Sequence, residues 1–144
     1  MKTDTADQHW NDQWAGIEAG SKWLSPEEDV KRWASTLAPG ARVLDLGAGV
    51  GRHALWLAAQ GFDVVALDAA PEGLAEIDRI GGLETVKARM HALPFADASF
   101  DAVLCASRWV ADNVYRHGLR KVFLTPLGVH AEIFHPSRRD AALV

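Results

Sequence analysis

The 144-residue sequence has a single cysteine, Cys105, and no apolar run of bilayer-spanning length. One cysteine excludes an intramolecular disulfide and is typical of a reducing compartment. The first residues carry Asp4, Asp7 and Asp12, where a secretory signal would have a basic segment followed by an apolar one. A bilayer span needs about 20 apolar residues in a row. We therefore expect a soluble, cytoplasmic protein with no membrane partner.

An excess of positive charge is also missing, because the formal net charge is −4. This charge gives no general attraction to phosphate backbones, so no nucleic-acid partner is expected. Residues 1–106 carry −7 and residues 107–144 carry +3. The asymmetry indicates a basic face or interaction tail, or else a chance excess of surface arginine. The six histidines do not stand at metal-ligand spacing with a cysteine or carboxylate, so no metal site is expected.

The most informative stretch that is present lies at residues 43–51. An apolar run there delivers Asp45 into a turn with glycines at alternating positions 47, 49 and 51. A helical pattern follows over residues 53–59, and a second apolar run ends in Asp68. Glycine supplies the backbone angles of a tight strand-to-helix turn and lets a ligand approach the backbone closely. This strand–turn–helix–strand order predicts a unit that holds an adenosine-bearing cofactor.

The two acids distinguish between cofactor classes. Asp68, at the end of the second strand, can accept both hydroxyl protons of a ribose. Asp45 faces the same crevice, where a carboxylate suits an ammonium or sulfonium group and is a poor neighbour for a pyrophosphate. The dinucleotide fingerprint Gly-x-Gly-x-x-Gly would place its third glycine at position 52, which is Arg52. A nucleotide-binding oxidoreductase module is therefore the weaker alternative.

Three ordered motifs resemble the class I S-adenosylmethionine-dependent methyltransferases. Residues 44–54 are similar to the first motif of that family, 61–68 to the second, and 93–103 to the loop and fourth strand. The resemblance covers roughly residues 8–106. It implies S-adenosylmethionine as the cofactor and, if the protein is active, a small molecule as the methyl acceptor.

The resemblance also implies roles for individual residues. Asp45 and the 47–51 turn would line the methionine part of the cofactor, although a turn-capping carboxylate is the alternative for Asp45. Asp68 would bind the ribose hydroxyls, or else be a helix N-cap, with Ala69 beside the adenine. Arg52 would meet the cofactor carboxylate, or be a solvated or ion-paired arginine.

One position departs from the family pattern. Where the family often has an acid that accepts from the adenine amine, this sequence has Arg89, which cannot accept a hydrogen bond. Met90 follows it and could still pack on the adenine. No catalytic residue is assigned. The expected cofactor-binding residues are Asp45, Gly47, Ala48, Gly49, Gly51, Arg52, Asp68, Ala69, Met90 and Ala106.

Beyond about residue 106 the sequence resembles a different family. Residues 106–113 are similar to a Ser-led helix near the end of the first domain of retaining GT-B glycosyltransferases, and residues 121–136 to the interdomain segment of that family. One hypothesis is a fusion of two proteins, natural or engineered, with the junction near residues 101–107. The alternative is a divergent methyltransferase with a shortened end.

Strand and helix patterns alternate along the chain. Strands are predicted at 42–46, 63–67, 84–88, 101–106 and 121–125, and helices from Ser25-Pro26, over 52–60 and from Pro71. This order predicts an α/β, Rossmann-like, doubly wound and mostly parallel five-stranded sheet in three layers, truncated relative to the seven-stranded methyltransferase fold.

The domain organisation follows from these elements. We expect an N-terminal helical cap (1–40), an S-adenosylmethionine-binding core (41–106) and a divergent C-terminal segment that completes the same domain (107–144). The second functional hypothesis is a truncated or hybrid domain that binds cofactor or self-associates without catalysis. Its expected partner is a second copy of the chain, in a homodimer through the incomplete sheet edge.

Overall fold

The computed structural model describes residues 8, 12, 15, 24–89, 93–95, 99–105, 111, 112, 114, 116 and 122–124. The helices are α1 (Glu28–Ala34), α2 (Arg52–Ala59) and α3 (Pro71–Ile80). The strands are β1 (Arg42–Leu46), β2 (Asp63–Asp68), β3 (Glu84–Lys87), β4 (Ala102–Cys105) and β5 (Val122–Leu124). Residues 111, 112, 114 and 116 are also helical. No helix among the described residues is long and apolar enough to cross a membrane.

The five strands form one parallel sheet in the order β3-β2-β1-β4-β5. The strand order reverses at β1, which pairs with β2 on one side and with β4 on the other. In open parallel sheets, ligands bind outside the carboxyl ends of the strands at such a reversal. The predicted Rossmann-like class with a five-stranded parallel sheet is confirmed.

Helices cover both faces of the sheet. Side chains alternate along each strand, so each strand contributes to two separate clusters. One face packs against α1, α2 and α3 through buried residues that include Val30, Val43, Leu57, Val64 and Ile77. The opposite face packs against the helical residues near 111–116 and includes Leu44, Val65, Val103, Ala111 and Val114. The three-layer arrangement predicted from the alternation of elements is therefore present.

The start of α1 differs from the sequence prediction. The sequence predicts that the helix begins at Ser25-Pro26, but it begins at Glu28 and Glu27 is its N-cap. The Glu27 backbone N–H donates to Nε2 of His53, 3.2 Å away. This contact spans 26 residues, so a local capping pattern does not encode it. The Glu27 carbonyl still accepts from the Val30 amide at 3.1 Å, as an N-cap carbonyl should.

Charged groups tie the amino ends of the strands together around Arg42. The Arg42 guanidinium lies 3.6 Å from Asp63, 3.9 Å from Glu84 and 4.9 Å above the Phe100 ring. The Arg42 backbone N–H donates to Oδ2 of Asp101 at 2.8 Å. These pairs are partly exposed, so each contributes modestly to stability.

An open groove of about 590 Å³ lies at the same amino end. Its lining includes residues 36–41, Asp101 and the stacked rings of Trp33 and Phe123, whose centroids are 5.1 Å apart. The glycine turn predicted to bind the cofactor lies at the other end of the strands, so this groove does not belong to it.

Candidate functional site

Asp45 and Asp68 lie on the same face of the sheet at its carboxyl edge. Asp45 of β1 pairs in register with Ala66 of β2, and Asp68 follows two residues after Ala66. Because side chains alternate with a period of two, Asp68 points to the same side as Ala66 and Asp45. The charge of Asp68 also acts on the Asp45 carboxyl. The structure therefore brings the two acids together, as the sequence predicted.

The glycine turn between β1 and α2 is held against the end of β2. The amides of Gly47 and Ala48 both donate to the carbonyl of Leu67, at 2.8 and 3.1 Å. Gly47, Gly49 and Gly51 all have positive φ, at 77°, 59° and 90°. These angles belong to the left-handed region that favours glycine, so the spacing of the three glycines follows from the path of the backbone.

Asp45 is a buried acid with an unsatisfied oxygen. The residue is 4% exposed, and Oδ2 has no hydrogen-bond partner in the described part of the chain. Burial, with a smaller contribution from Asp68, raises the pKa of Asp45 from 3.8 to about 7. Arg52 and a backbone hydrogen bond from Ala54 oppose this rise. The carboxyl is therefore poised between its neutral and ionised forms near neutral pH.

Asp68 links the glycine turn to the start of α3. Its Oδ2 accepts from the Gly49 amide and its Oδ1 from the Ala70 amide, both at 2.8 Å. The alternative that Asp68 is a helix N-cap is wrong, because α3 begins at Pro71 with Ala70 as its N-cap. Ala69, half-buried, completes the short turn between Asp68 and that helix.

Arg52 is ion-paired rather than solvated. Its Nη2 lies 3.2 Å from Oε1 of Glu27, and its side chain is only 12% exposed. The next residue, His53, is buried and accepts from the Glu27 amide. Burial and the neighbouring charge of Arg52 lower the pKa of His53 to about 4. Sequence reasoning found neither Glu27 nor His53, since no local pattern signals a contact between them.

The remaining residues singled out from the sequence are placed as follows. Ala48 is buried within the turn. Arg89, which was not predicted to bind the cofactor and stands where the family often has an acid, is exposed just after β3. Met90 and Ala106 lie outside the described residues. In the ranges that the structure covers, no group of three His, Cys, Asp or Glu side chains could hold a metal ion.

Comparison with known proteins places the chain in a family. The sequence profile described as "Methyltransferase domain" matches residues 43–124, more than half of the chain. The chain belongs to this methyltransferase domain family. An uncharacterized methyltransferase of Mycobacterium bovis is 43% identical over 74 residues, which is 50% of this chain and 30% of that protein. A demethylmenaquinone methyltransferase of Beutenbergia cavernae is 48% identical over 66 residues, 45% of this chain and 28% of that protein.

A solved methyltransferase structure has the same fold as this chain. Phosphoethanolamine N-methyltransferase 1 of Haemonchus contortus, in complex with phosphoethanolamine and S-adenosylhomocysteine, superposes with a TM-score of 0.52 at 20% identity. The match covers 70% of this chain and 24% of that one. Both curated relatives above are matched over less than a third of their own length. The fold and the family together identify a class I methyltransferase domain.

The family match also bears on the suggested fusion. It runs through residues 101–107, where the sequence suggested a junction, and continues to the end of β5. β5 pairs in parallel with β4, as the next strand of the same sheet. The comparisons give no support to the glycosyltransferase resemblance over residues 106–136. Residues 125–136 lie outside the described part of the chain.

Proposed function

We propose that this methyltransferase domain binds S-adenosylmethionine at the glycine turn and transfers its methyl group to a small molecule. The observation that carries the proposal is Oδ2 of Asp45, buried at the carboxyl end of β1 without a hydrogen-bond partner in the described residues. A buried polar atom without a partner costs about 1–3 kcal/mol. A cationic ligand at the turn would offset that cost, and S-adenosylmethionine carries both a sulfonium and an ammonium group.

The other residues of the turn fit the same cofactor. By this proposal, Asp45 and the 47–51 turn hold the methionine part, and Arg52 lies near its carboxylate. Asp68 accepts from the ribose hydroxyls, with Ala69 beside the adenine. A carboxylate can accept about four hydrogen bonds, so the two amides that orient Asp68 are compatible with this role. Met90 and Ala106 remain expected members of the site.

Methyl transfer needs little from the protein beyond holding the cofactor and the acceptor in the correct position. The bound cofactor supplies a methyl group activated by its sulfonium. A rigid turn and a fixed pair of carboxylates keep that group in one place, and alignment of two reactants can account for much of a rate enhancement. We therefore assign no general base, and the residues that we expect to matter are those that bind and orient.

A small-molecule acceptor is the favoured substrate class. One relative is named a demethylmenaquinone methyltransferase, and the solved structure contains phosphoethanolamine. The net charge of −4 argues against a nucleic-acid substrate, because phosphate backbones are bound chiefly by positive charge.

Calorimetric titration of the full chain with S-adenosylmethionine, S-adenosylhomocysteine and NAD tests the proposal. We expect both adenosyl compounds to bind and NAD to give no heat. Binding of NAD alone would overturn the proposal and favour an oxidoreductase module. Binding of S-adenosylmethionine without turnover across a panel of small acceptors would favour the non-catalytic alternative.

A further inference from the structure

Glu27 connects two helices through three of its groups. Its carboxylate pairs with Arg52 and its backbone N–H donates to His53, while its carbonyl accepts from the first turn of α1. Arg52 and His53 are the first two residues of α2 and directly follow Gly51 of the glycine turn. Glu27 therefore fixes the beginning of α1 to the beginning of α2, next to the proposed cofactor site.

This ion pair differs from the other pairs made by the start of α1. Glu28 pairs with Lys31 within the same helix, and Asp29 pairs with Arg32 in the same way. The Glu28 side chain is 79% exposed, and such surface pairs contribute little. The Glu27–Arg52 pair instead spans 25 residues, and its side chains are 37% and 12% exposed, against 79% and 37% for Glu28 and Lys31. Removing one partner from a partly buried pair is more costly than at the surface, because the other charge is left without its counter-ion.

The Glu27–Arg52 pair also interacts electrostatically with the proposed cofactor site. The positive charge of Arg52 acts on the Asp45 carboxyl and favours its ionised form. The position of the guanidinium therefore influences the acid that faces the cofactor. Because Nε2 of His53 accepts the Glu27 N–H, the imidazole is neutral and carries its proton on Nδ1, so it adds no competing charge beside Arg52.

We propose that Glu27 is a positioning residue of the cofactor site, acting by holding the Arg52 side chain at the start of α2, directly after the glycine turn. The inference rests on the proposed function, because it assumes that S-adenosylmethionine binds at the glycine turn. It adds a residue from the segment before α1, outside the family match at residues 43–124, to the set that determines cofactor affinity.

The test compares two neighbouring glutamates. The affinity of the full chain for S-adenosylhomocysteine is measured by calorimetry for Glu27→Gln and for the matched control Glu28→Gln. Each variant loses one negative charge from the start of the same helix. We expect Glu27→Gln to weaken binding about three- to tenfold, as for loss of a partly buried charge-assisted contact, and Glu28→Gln to leave it unchanged. Urea unfolding of both variants checks that each remains folded.

A second pair of variants separates positioning from a structural effect. Glu27→Gln is repeated in an Arg52→Met background, where no guanidinium remains to be positioned. We expect no further loss of affinity there, since the two changes remove the same interaction. A Glu27→Gln loss of the same size with and without Arg52 would show a structural role and overturn the inference. Equal affinity of Glu27→Gln and the unsubstituted chain would overturn it as well.

The proposed function and this inference fail in different ways. An unsubstituted chain that binds neither adenosyl compound would refute the proposed function and, with it, the role of Glu27. An unsubstituted chain that binds S-adenosylhomocysteine, together with a Glu27→Gln variant that binds equally well, would refute only the role of Glu27.

Discussion

The two ends of the parallel sheet place their charged side chains in different surroundings. At the amino end, Nε of Arg42 also lacks a hydrogen-bond partner among the described residues, but the guanidinium lies near two partly exposed acids and an aromatic ring. At the carboxyl end, Asp45 is buried beside a second acid, and one of its oxygens has no partner among the described residues. The first arrangement contributes modestly to stability, whereas the second lowers it. A buried acid with a perturbed pKa at the point where the strand order reverses is typical of a binding site.

The largest difference between the ends is expected at two glycines that flank α2. Gly51 (φ +90°) and Gly61 (φ +96°) are both left-handed, so alanine is strained at either. A Cβ on Gly51 would lie 2.7 Å from Cγ1 of Ile77, while one on Gly61 meets nothing within 4 Å. We expect Gly61→Ala to lower the free energy of unfolding by about 1–2 kcal/mol and Gly51→Ala by about 2–4 kcal/mol. Urea unfolding measures both, and equal losses would contradict the packing assigned to the turn.

The next effect is a pair of opposite pH dependences at the carboxyl end. The pKa of Asp45 is raised in the folded state, so its contribution to stability is complete below pH 3.8 and is lost as the pH rises through about 7. The pKa of His53 is lowered, so its contribution is complete above pH 6.5 and is lost as the pH falls through about 4. Between these limits the two contributions change in opposite directions and partly cancel.

Single substitutions should separate them. In Asp45→Asn, His53 is the remaining member of the pair that titrates, so the free energy of unfolding should rise as the pH is increased from 4 to 6.5. In His53→Gln, Asp45 is the remaining member of the pair that titrates, so the free energy of unfolding should fall as the pH is increased over the same interval. In each variant the free energy of unfolding should change by at most about 3 kcal/mol over this interval, because one pKa unit corresponds to about 1.4 kcal/mol. Urea unfolding at several pH values measures the slopes. Parallel slopes in the two variants would contradict the assignment.

A smaller effect compares the two ends of β2. Asp68 ends the strand at the glycine turn, and Asp63 begins it beside Arg42. We expect Asp68→Asn to weaken binding of S-adenosylhomocysteine about tenfold, since a charged acceptor is lost from the hydroxyl-binding position. Asp63→Asn, which removes the same charge from the same strand, should leave the affinity unchanged. Calorimetry measures the affinity of both variants. Equal losses of affinity would show that the effect comes from the net charge and not from the position of Asp68.

The smallest effect is expected at the amino end itself. Glu84 lies 3.9 Å from Arg42, and its side chain is 61% exposed. Glu84→Gln should change the free energy of unfolding by less than about 0.5 kcal/mol, as for other exposed pairs, and the difference should shrink in high salt. Arg42→Met is the reference, because it removes every contact of the guanidinium at once. A Glu84→Gln loss as large as that of Arg42→Met would contradict the weak pairing assigned to this end.

The strands and the meeting of the two acids were predictable because both depend on local patterns. Apolar runs ending in an acid or a glycine turn mark β1 and β2, and the predicted 42–46 coincides with β1. The remaining strands lie within about one residue of prediction. Once two neighbouring strands are parallel, their carboxyl ends share an edge, so Asp45 and Asp68 must approach each other.

The rest depends on contacts between distant parts of the chain. The start of α1 could not be placed by its Ser-Pro pattern, because the Glu27 amide bonds to His53 instead. The pairing of Arg52 and the burial of His53 depend on the same long-range contact. The unpartnered oxygen of Asp45 depends on which groups surround it in the folded chain, which a sequence pattern does not specify.

The most direct test of the buried acid is the pH dependence of S-adenosylmethionine binding. Calorimetry at pH 5.5 and 7.0, in two buffers of different ionisation enthalpy, measures affinity and proton release together. The α-amino group of the cofactor stays mostly protonated over this interval. We expect proton release on binding, affinity roughly tenfold higher at pH 7.0, and loss of both effects in Asp45→Asn. Equal affinity at the two pH values, with no proton released by the unsubstituted chain, would contradict it.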